Sequence, residues 1–190
     1  MDRLNNVLGA LALAVTDAVR QSAEEASGHT DAGPAALTIL LTTPHGRSVD
    51  ELRRAVGLTP SGGVRLVDRL VGDGLVERRP GTDGRSVLVT LTRRGRRIAR
   101  TTLAARADAI ERILAPLDAG QRALLEGIVE TMLGAHVVEK LRAPRTGGWV
   151  CRLCDQVACG RDQGRCPAAT AAAITDRPPA GPSTRRTRPR

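Results

Sequence analysis

Apolar positions along the chain change their period repeatedly, and each change marks an element. Leu4, Leu8, Leu11, Val15 and Val19 recur at three- and four-residue steps, so residues 3–26 read as one amphipathic helix. After a loop at Gly28–Gly33, Pro34 opens a short apolar helix through Leu41, and Thr42–Gly46 ends it. Ser48-Val-Asp-Glu51 is a capping box, in which the serine hydroxyl accepts from the Glu51 amide and the glutamate reaches back. That helix runs to about Val56, and Gly57 supplies its stop. Leu58 can plug the turn. Thr59 as N-cap and Pro60 at the first helical position start another helix, ending near Gly72. Its buried stripe is expected to be Val64, Val67, Leu70 and Val71, with Ser61, Gly62, Arg65, Asp68 and Arg69 outside.

Downstream of the Gly74 break the period drops to two. Leu75–Arg79 and Arg85–Leu91 read as strands joined by the turn Pro80–Gly84, with Val87, Val89 and Leu91 on one face. Thr92 then caps a helix to about residue 115 that carries Ile98, Leu103, Ile110, Ile113 and Leu114, and Pro116 ends it. Asp118-x-x-Gln121 is a second capping box. It opens a helix to about Leu141 whose stripe is Leu124, Leu125, Ile128, Met132, Leu133 and Val137.

The predicted fold class is therefore mainly α with a small antiparallel β-wing. Two short helices joined by a turn of about three residues are the signature of a helix-turn-helix. In that motif the second helix enters the major groove of double-stranded DNA with its N-terminal residues toward base edges. Here Thr59, Ser61, Gly62 and Gly63 are small and permit close approach, and Arg65 and Arg69 can then reach bases or phosphates. A hairpin tip bearing Arg78, Arg79 and Arg85 can place arginine in the neighbouring minor groove.

Charge strengthens this reading. The 190-residue chain has a formal net charge of +9, which points to a polyanion. From Arg47 to Arg106 there are 14 arginines against six acids, so the central region carries most of the excess. Lys140 is the one lysine, and arginine suits phosphate and guanine because its planar fork donates two parallel hydrogen bonds. Five of these arginines (Arg93, Arg94, Arg96, Arg97 and Arg100) open a helix, where positive charge opposes the macrodipole unless phosphate lies nearby. With no Phe, no Tyr and one Trp, the core must be aliphatic, and recognition of single strands by base stacking is disfavoured.

The four cysteines are confined to one stretch with spacing Cys151-x2-Cys154-x4-Cys159-x6-Cys166. A secreted disulfide framework would spread them through the fold. The cluster instead suits a metal site or a redox switch. Zinc takes four thiolates in a tetrahedron, and a C-x-x-C turn presents two together. An iron–sulfur cluster accepts the same donors, and a metal-free thiol switch is a third reading. Arg152, Arg161 and Arg165 would offset thiolate charge. Trp149 reads as an apolar anchor for the tail, His29 and His45 as surface-loop residues, and His136 as a helix residue. No thioredoxin-like βαβ pattern surrounds Cys151 and Cys154, so an enzyme is not expected.

Residues 30–141 resemble the MarR family of bacterial transcription regulators. The resemblance rests on Leu66-Val-Asp-Arg-Leu70, Gly74-Leu-Val-Glu-Arg78, Asp83-Gly-Arg85, Val89-Thr-Leu-Thr92 and Gly95 in that order. It implies a homodimer in which each subunit offers one winged helix to half of a palindromic operator, and a small-molecule effector that releases DNA. It also implies that Asp83 holds the wing and that Arg85 contacts DNA. With it the chain divides into an N-terminal dimerisation helix at 1–29, a DNA-binding domain at 30–92 and dimerisation helices at 93–142, and the residues themselves add a metal-binding module at 149–167 and a disordered Ala/Pro/Arg-rich tail at 168–190. Two features depart from the family: the interior lacks the aromatics that often line effector pockets, and the cysteine tail is an addition. The expected function is a sequence-specific regulator acting as a repressor. The alternatives are a metal- or redox-sensing regulator switched through the four cysteines and a non-specific architectural DNA binder. A cytoplasmic location is expected. Leu8–Val15 lacks the positive flank of a signal peptide, and no apolar run reaches the roughly 18 residues of a membrane span.

Overall fold

The computed structural model describes residues 2–81, 86–142 and 147–175. The chain order is α1 (Arg3–Ser27), α2 (Gly33–Leu41), β1 (Arg47–Ser48), α3 (Val49–Val56), α4 (Pro60–Gly72), β2 (Val76–Pro80), β3 (Val87–Leu91), α5 (Arg93–Leu114), α6 (Ala119–Arg142), a 3-10 turn at Arg161–Gln163 and α7 (Pro167–Thr175). The caps lie where local chemistry places them. The Ser48 hydroxyl accepts from the Glu51 amide at 3.2 Å while Glu51 accepts from the Ser48 amide at 2.9 Å. Thr59 accepts from Gly62, Thr92 from Gly95, and Asp118 and Gln121 exchange bonds at 2.9 and 3.1 Å. Gly57 ends α3 at φ 82°, a left-handed conformation that a side chain would strain.

The sheet has three strands in the order β1-β3-β2, all antiparallel, where sequence alone suggests two. Arg47 pairs with Val89 and Ser48 with Leu88. A two-residue strand shows no alternation to read. It lies beside β3 because Gly46, at φ 81°, has no Cβ to collide with the Val89 carbonyl.

The main core is aliphatic, as the composition requires. Leu37, Leu40, Leu52, Leu66, Val67, Leu70, Leu75, Val76, Val89 and Leu91 are all buried in it, joining α2, α3, α4 and the sheet. The buried stripe of α4 differs from the expected one: it is Gly63, Leu66, Val67 and Leu70, and Val64 is 47% exposed. The helix is rotated because Gly63 permits the closest approach to α3, with a methyl there meeting Arg53 Cβ at 2.6 Å. Val87 shares the face of Val89 and Leu91 but stands at the outer end of β3, where it is 49% exposed. His29 is no surface residue. Its side chain is only 9% exposed and lies 3.5 Å from Asp73 at the end of α4.

Two long helices lean outward. The C-terminal half of α1 packs on α5 through buried Ala23, Ser27, Thr102 and Ala109. Its N-terminal half leaves Leu4, Val7, Leu8 and Leu11 exposed in one stripe. In α6 the expected stripe splits. Leu124, Ile128 and Met132 are exposed, while Val137 is buried against the cysteine region. Arg122 closes the α5–α6 turn, bonding both Glu111 carboxylate oxygens and the carbonyls of Leu114 and Leu117.

The segment 168–175, expected to be disordered, is helical. Alanine is the strongest helix former, Pro167 suits the first helical position, and Ala168 and Ala171 bury against α6. Residues 176–190 lie outside the described residues. No described helix is long and apolar enough to cross a membrane.

Candidate nucleic-acid interface

Helix α4 carries the side chains expected to face a DNA groove, and its capping decides which ones are available. Thr59 is exposed, but its hydroxyl is engaged by the Gly62 amide at 3.1 Å and lies 3.4 Å from Ser61 Oγ. Ser61 is exposed. Gly62 is half-buried inside the cap, and Gly63 is buried against α3, so neither presents a free surface to a base. Arg65 and Arg69 are exposed on the outer face and form no ion pair or hydrogen bond with a described residue. A guanidinium without an internal partner keeps its donors for an external anion.

The arginines of β2 are held. Arg78 donates to the Asp68 carboxylate at 2.6 Å, tying the wing strand to the recognition helix. Arg79 bonds Glu77 at 2.6 and 2.9 Å, and Thr90 of β3 donates to the same carboxylate. Sequence reasoning misses Asp68, which reaches Arg78 across the α4–β2 turn, and Glu77, which holds Arg79 from the same face of β2. Asp83 and Arg85 lie outside the described residues. At the start of α5, exposed Arg93, Arg96, Arg97 and Arg100 line a shallow basic hollow of about 420 Å³, while Arg94 donates to the Asp73 carbonyl at 3.1 Å.

A larger cleft, of about 1000 Å³, separates the helix-turn-helix from α6 and the tail. Its walls include Ile39, Arg47, Arg54, Val137 and Trp149. The expected lack of aromatics therefore holds for the winged-helix part alone, because the tail brings the only indole to this cleft.

That tail is seated on the helix-turn-helix. The Trp149 amide donates to the Ala55 carbonyl at 2.7 Å, and the Arg47 guanidinium lies 4.8 Å from the indole centroid. Lys140 Nζ donates to the Gly148 carbonyl at 2.7 Å, and Gln156 to Thr42 Oγ1 at 3.2 Å. Gly148 sits so close to α3 that a Cβ would meet the Ala55 carbonyl at 2.8 Å. Trp149, expected as an anchor, thus anchors on the elbow itself.

The four cysteines are free thiols and are brought into one region. Cys151, Cys159 and Cys166 pack in a single apolar cluster with Val137, Ala168 and Ala171. Cys151 lies beside Cys154, and Cys159 beside Cys166, near enough for each thiol to shift its neighbour. In the first pair the Cys151 thiol lowers Cys154 to about 6, against its desolvation and with help from Arg106 and Arg152, and Cys151 is pushed up in turn. In the second, burial and the Cys166 thiol push Cys159 up to about 11. Among the described residues no three His, Cys, Asp or Glu side chains converge as a metal site.

Comparison with known proteins fits the winged-helix geometry. The MarR family model matches residues 30–86, which span α2 to the start of the second wing strand. This stretch is similar to the MarR family domain. Solved MarR-family structures cover nearly their whole length with this chain. A MarR family protein from Mycobacterium tuberculosis is 28% identical at a TM-score of 0.55, covering 68% of this chain and 93% of its own. The same protein in complex with DNA is 29% identical at 0.51, covering 66% and 96%. Apo MarR from E. coli is 27% identical at 0.55, covering 66% and 96%. About a third of this chain is therefore unmatched in these relatives. The search of curated proteins finds no match. The family similarity falls on α2 to β2, the part of the chain that contains α4 and the first wing strand.

Proposed function

We propose that the protein is a homodimeric repressor that recognises a palindromic operator in double-stranded DNA. The observation that carries this reading is the outer face of α4, where Arg65 and Arg69 stand exposed without partners among the described residues, beside a wing strand locked to the same helix by Asp68 and Arg78. The dimer is supported by the two unpartnered apolar stripes, Leu4–Leu11 on α1 and Leu124–Met132 on α6. Burying them against a second copy removes from water the side chains that a lone chain leaves exposed. A dimer of such readers spans two half-sites roughly one DNA turn, about 34 Å, apart. Occupying that length excludes other proteins from it, which makes repression the direct consequence of binding. An effector would take the cleft between the helix-turn-helix and α6, and Arg47 and Arg54 on its wall suit an anion.

The test is selection of a binding site from random duplex DNA by the full chain, followed by titration of the selected site and a scrambled one. A palindromic motif with a specificity ratio of about 1000 or more is expected. Equal, steeply salt-dependent affinity for both duplexes would sink the reading in favour of a non-specific binder. Sedimentation at micromolar concentration should give twice the chain mass, and Leu8→Glu with Ile128→Glu should give a monomer. A wild-type monomer would remove the dimer.

A further inference from the structure

We propose that Cys151, Cys154, Cys159 and Cys166 together bind one zinc ion, and that the zinc-bound module acts as a strap holding the helix-turn-helix elbow through Gly148, Trp149 and Gln156. The strap's effect on DNA rests on the regulator reading above, whereas the metal site stands independently of it.

The donor set fits zinc in number and kind. These are the chain's only cysteines, and the fold gathers all four in one place instead of leaving any elsewhere in the core. The backbone is already turned as such a site needs. The Cys154 amide closes the first turn onto the Cys151 carbonyl at 3.1 Å. The second loop is closed by the Arg165 amide on the Gly160 carbonyl at 3.0 Å, with Gly160 and Gly164 both at positive φ. No three of these side chains converge in this structure, so taking up one ion requires the four thiols to close on it. Four thiolates on a divalent ion leave two negative charges, and arginines surround them. Arg106 and Arg152 act on Cys154, Arg161 acts on Cys159, and Arg165 lies against Gly160. A carboxylate-bearing pocket would favour a harder cation, whereas an all-thiolate set selects zinc or an iron–sulfur cluster.

Packing supplies a second reason. Between Cys151 and Cys166 the only large aliphatic side chains are Leu153 and Val157, and Val157 is 80% exposed. So short a segment cannot bury enough apolar surface to hold its own shape. Segments of this kind are stapled by disulfides or by a metal. The cysteines here are free, and a tetrahedral ion is what joins two such cysteine-bearing loops.

The module's position makes that staple consequential. Gly148 and Trp149 are pressed on the last turn of α3, and a Cβ on Gly57, the residue of the turn into α4, would meet the Gly148 amide nitrogen at 2.5 Å. The other end of the module is fixed to α6 through Cys166, Val137 and α7. A stiff module therefore links α6 to the elbow that aims α4. A loosened one leaves α3 and α4 to move independently of the helix that carries the outward apolar stripe.

The experiment uses the full chain purified without oxygen and without chelator. We expect about one zinc per chain by elemental analysis and no visible absorbance. Four thiols should react with a thiol reagent only after chelation, and replacement by Co(II) should give thiolate-to-cobalt absorption. The sole tryptophan serves as the docking reporter: removing zinc should red-shift its emission as the indole leaves Arg47. Zinc removal should also weaken binding to a duplex selected from random sequence by at least tenfold, and zinc should restore it. Cys154→Ser should lose the metal. Trp149→Ala should keep the metal and still weaken DNA binding, separating strap from site. A chain that carries no zinc and takes up no cobalt overturns the site, as does one that carries iron and sulfide. A zinc-loaded chain whose tryptophan emission and DNA affinity ignore metal removal overturns the strap. Failure of every form to select a duplex would instead refute the regulator reading, leaving the metal result intact.

Discussion

Gly95→Ala should destabilise the protein, although glycine-to-alanine exchange inside a helix ordinarily stabilises it by about 1 kcal/mol. The third residue of α5 faces the Leu75 carbonyl so closely that an added methyl would overlap it. Leu75 O cannot simply move, because it accepts from the Thr92 amide at 3.0 Å and from the Thr92 hydroxyl at 3.2 Å. Thr92 in turn caps α5 through the Gly95 amide at 3.0 Å. Inserting a carbon here therefore strains the junction of wing and helix and stretches hydrogen bonds worth about 1 kcal/mol each. Overpacking of this kind costs about 1–3 kcal/mol. Set against the gain in helix propensity, a net loss of about 2 kcal/mol is expected, which corresponds to about 4–8 °C in Tm for a chain of this size. Urea denaturation followed by circular dichroism, at one fixed protein concentration, measures it. Gly72→Ala is the control, since nothing lies within 4 Å of a methyl at the end of α4, and it should be neutral to slightly stabilising. If Gly95→Ala matched or exceeded the wild type in stability, the close packing of α5 on Leu75 would be wrong.

Three further outcomes follow from other contacts. Arg65→Ala and Arg69→Ala should each weaken operator binding by about 1–3 kcal/mol if they meet a base, or lower the salt slope by about one if they meet phosphate, and titration across salt concentrations distinguishes a change in either from none. Ser48→Ala removes the acceptor for the Glu51 amide and should cost about 1 kcal/mol of stability, with an unchanged urea midpoint counting against the cap. Burial lowers His29 below its ordinary value of about 6.5, with Asp73 opposing and Arg69 assisting. The unfolded chain therefore takes up the proton first, so stability is full above about pH 6.5 and is lost as the pH falls from there toward the folded value. His29→Gln should flatten the difference between urea midpoints at pH 7.5 and 5.5, and equal slopes in both proteins would assign the effect to other groups.

What could be read from the chain was mostly what is local. The caps at Ser48, Thr59, Thr92 and Asp118 depend on residues three positions away, and each lies where its spacing says. The rotation of α4 was not legible, because Val64 and Leu66 fit apolar stripes of similar quality. The choice between them is made by Gly63 meeting Arg53 on another helix. His29 lies in a loop by sequence, yet Asp73, far along the chain, helps enclose it. The candidate DNA-facing arginines could be named as a set, but not which were already engaged. Arg78 has its carboxylate partner across the α4–β2 turn and Arg79 has Glu77 two residues back in β2, whereas Arg65 and Arg69 have none among the described residues. The seating of Gly148 and Trp149 on α3 had no signal at all, since nothing periodic links a tail to an elbow.

The bond from Gln156 to Thr42 bridges 114 positions of chain. A contact of that separation carries one of the largest loop-closure costs in the molecule, and non-local contacts of this kind form late. During synthesis the winged helix is complete long before Trp149 leaves the ribosome. The tail therefore arrives at a finished surface and fastens from outside. The same order runs backwards in partial unfolding: the latch lets go first, and a protease that trims the tail would leave a folded reader without its fastening.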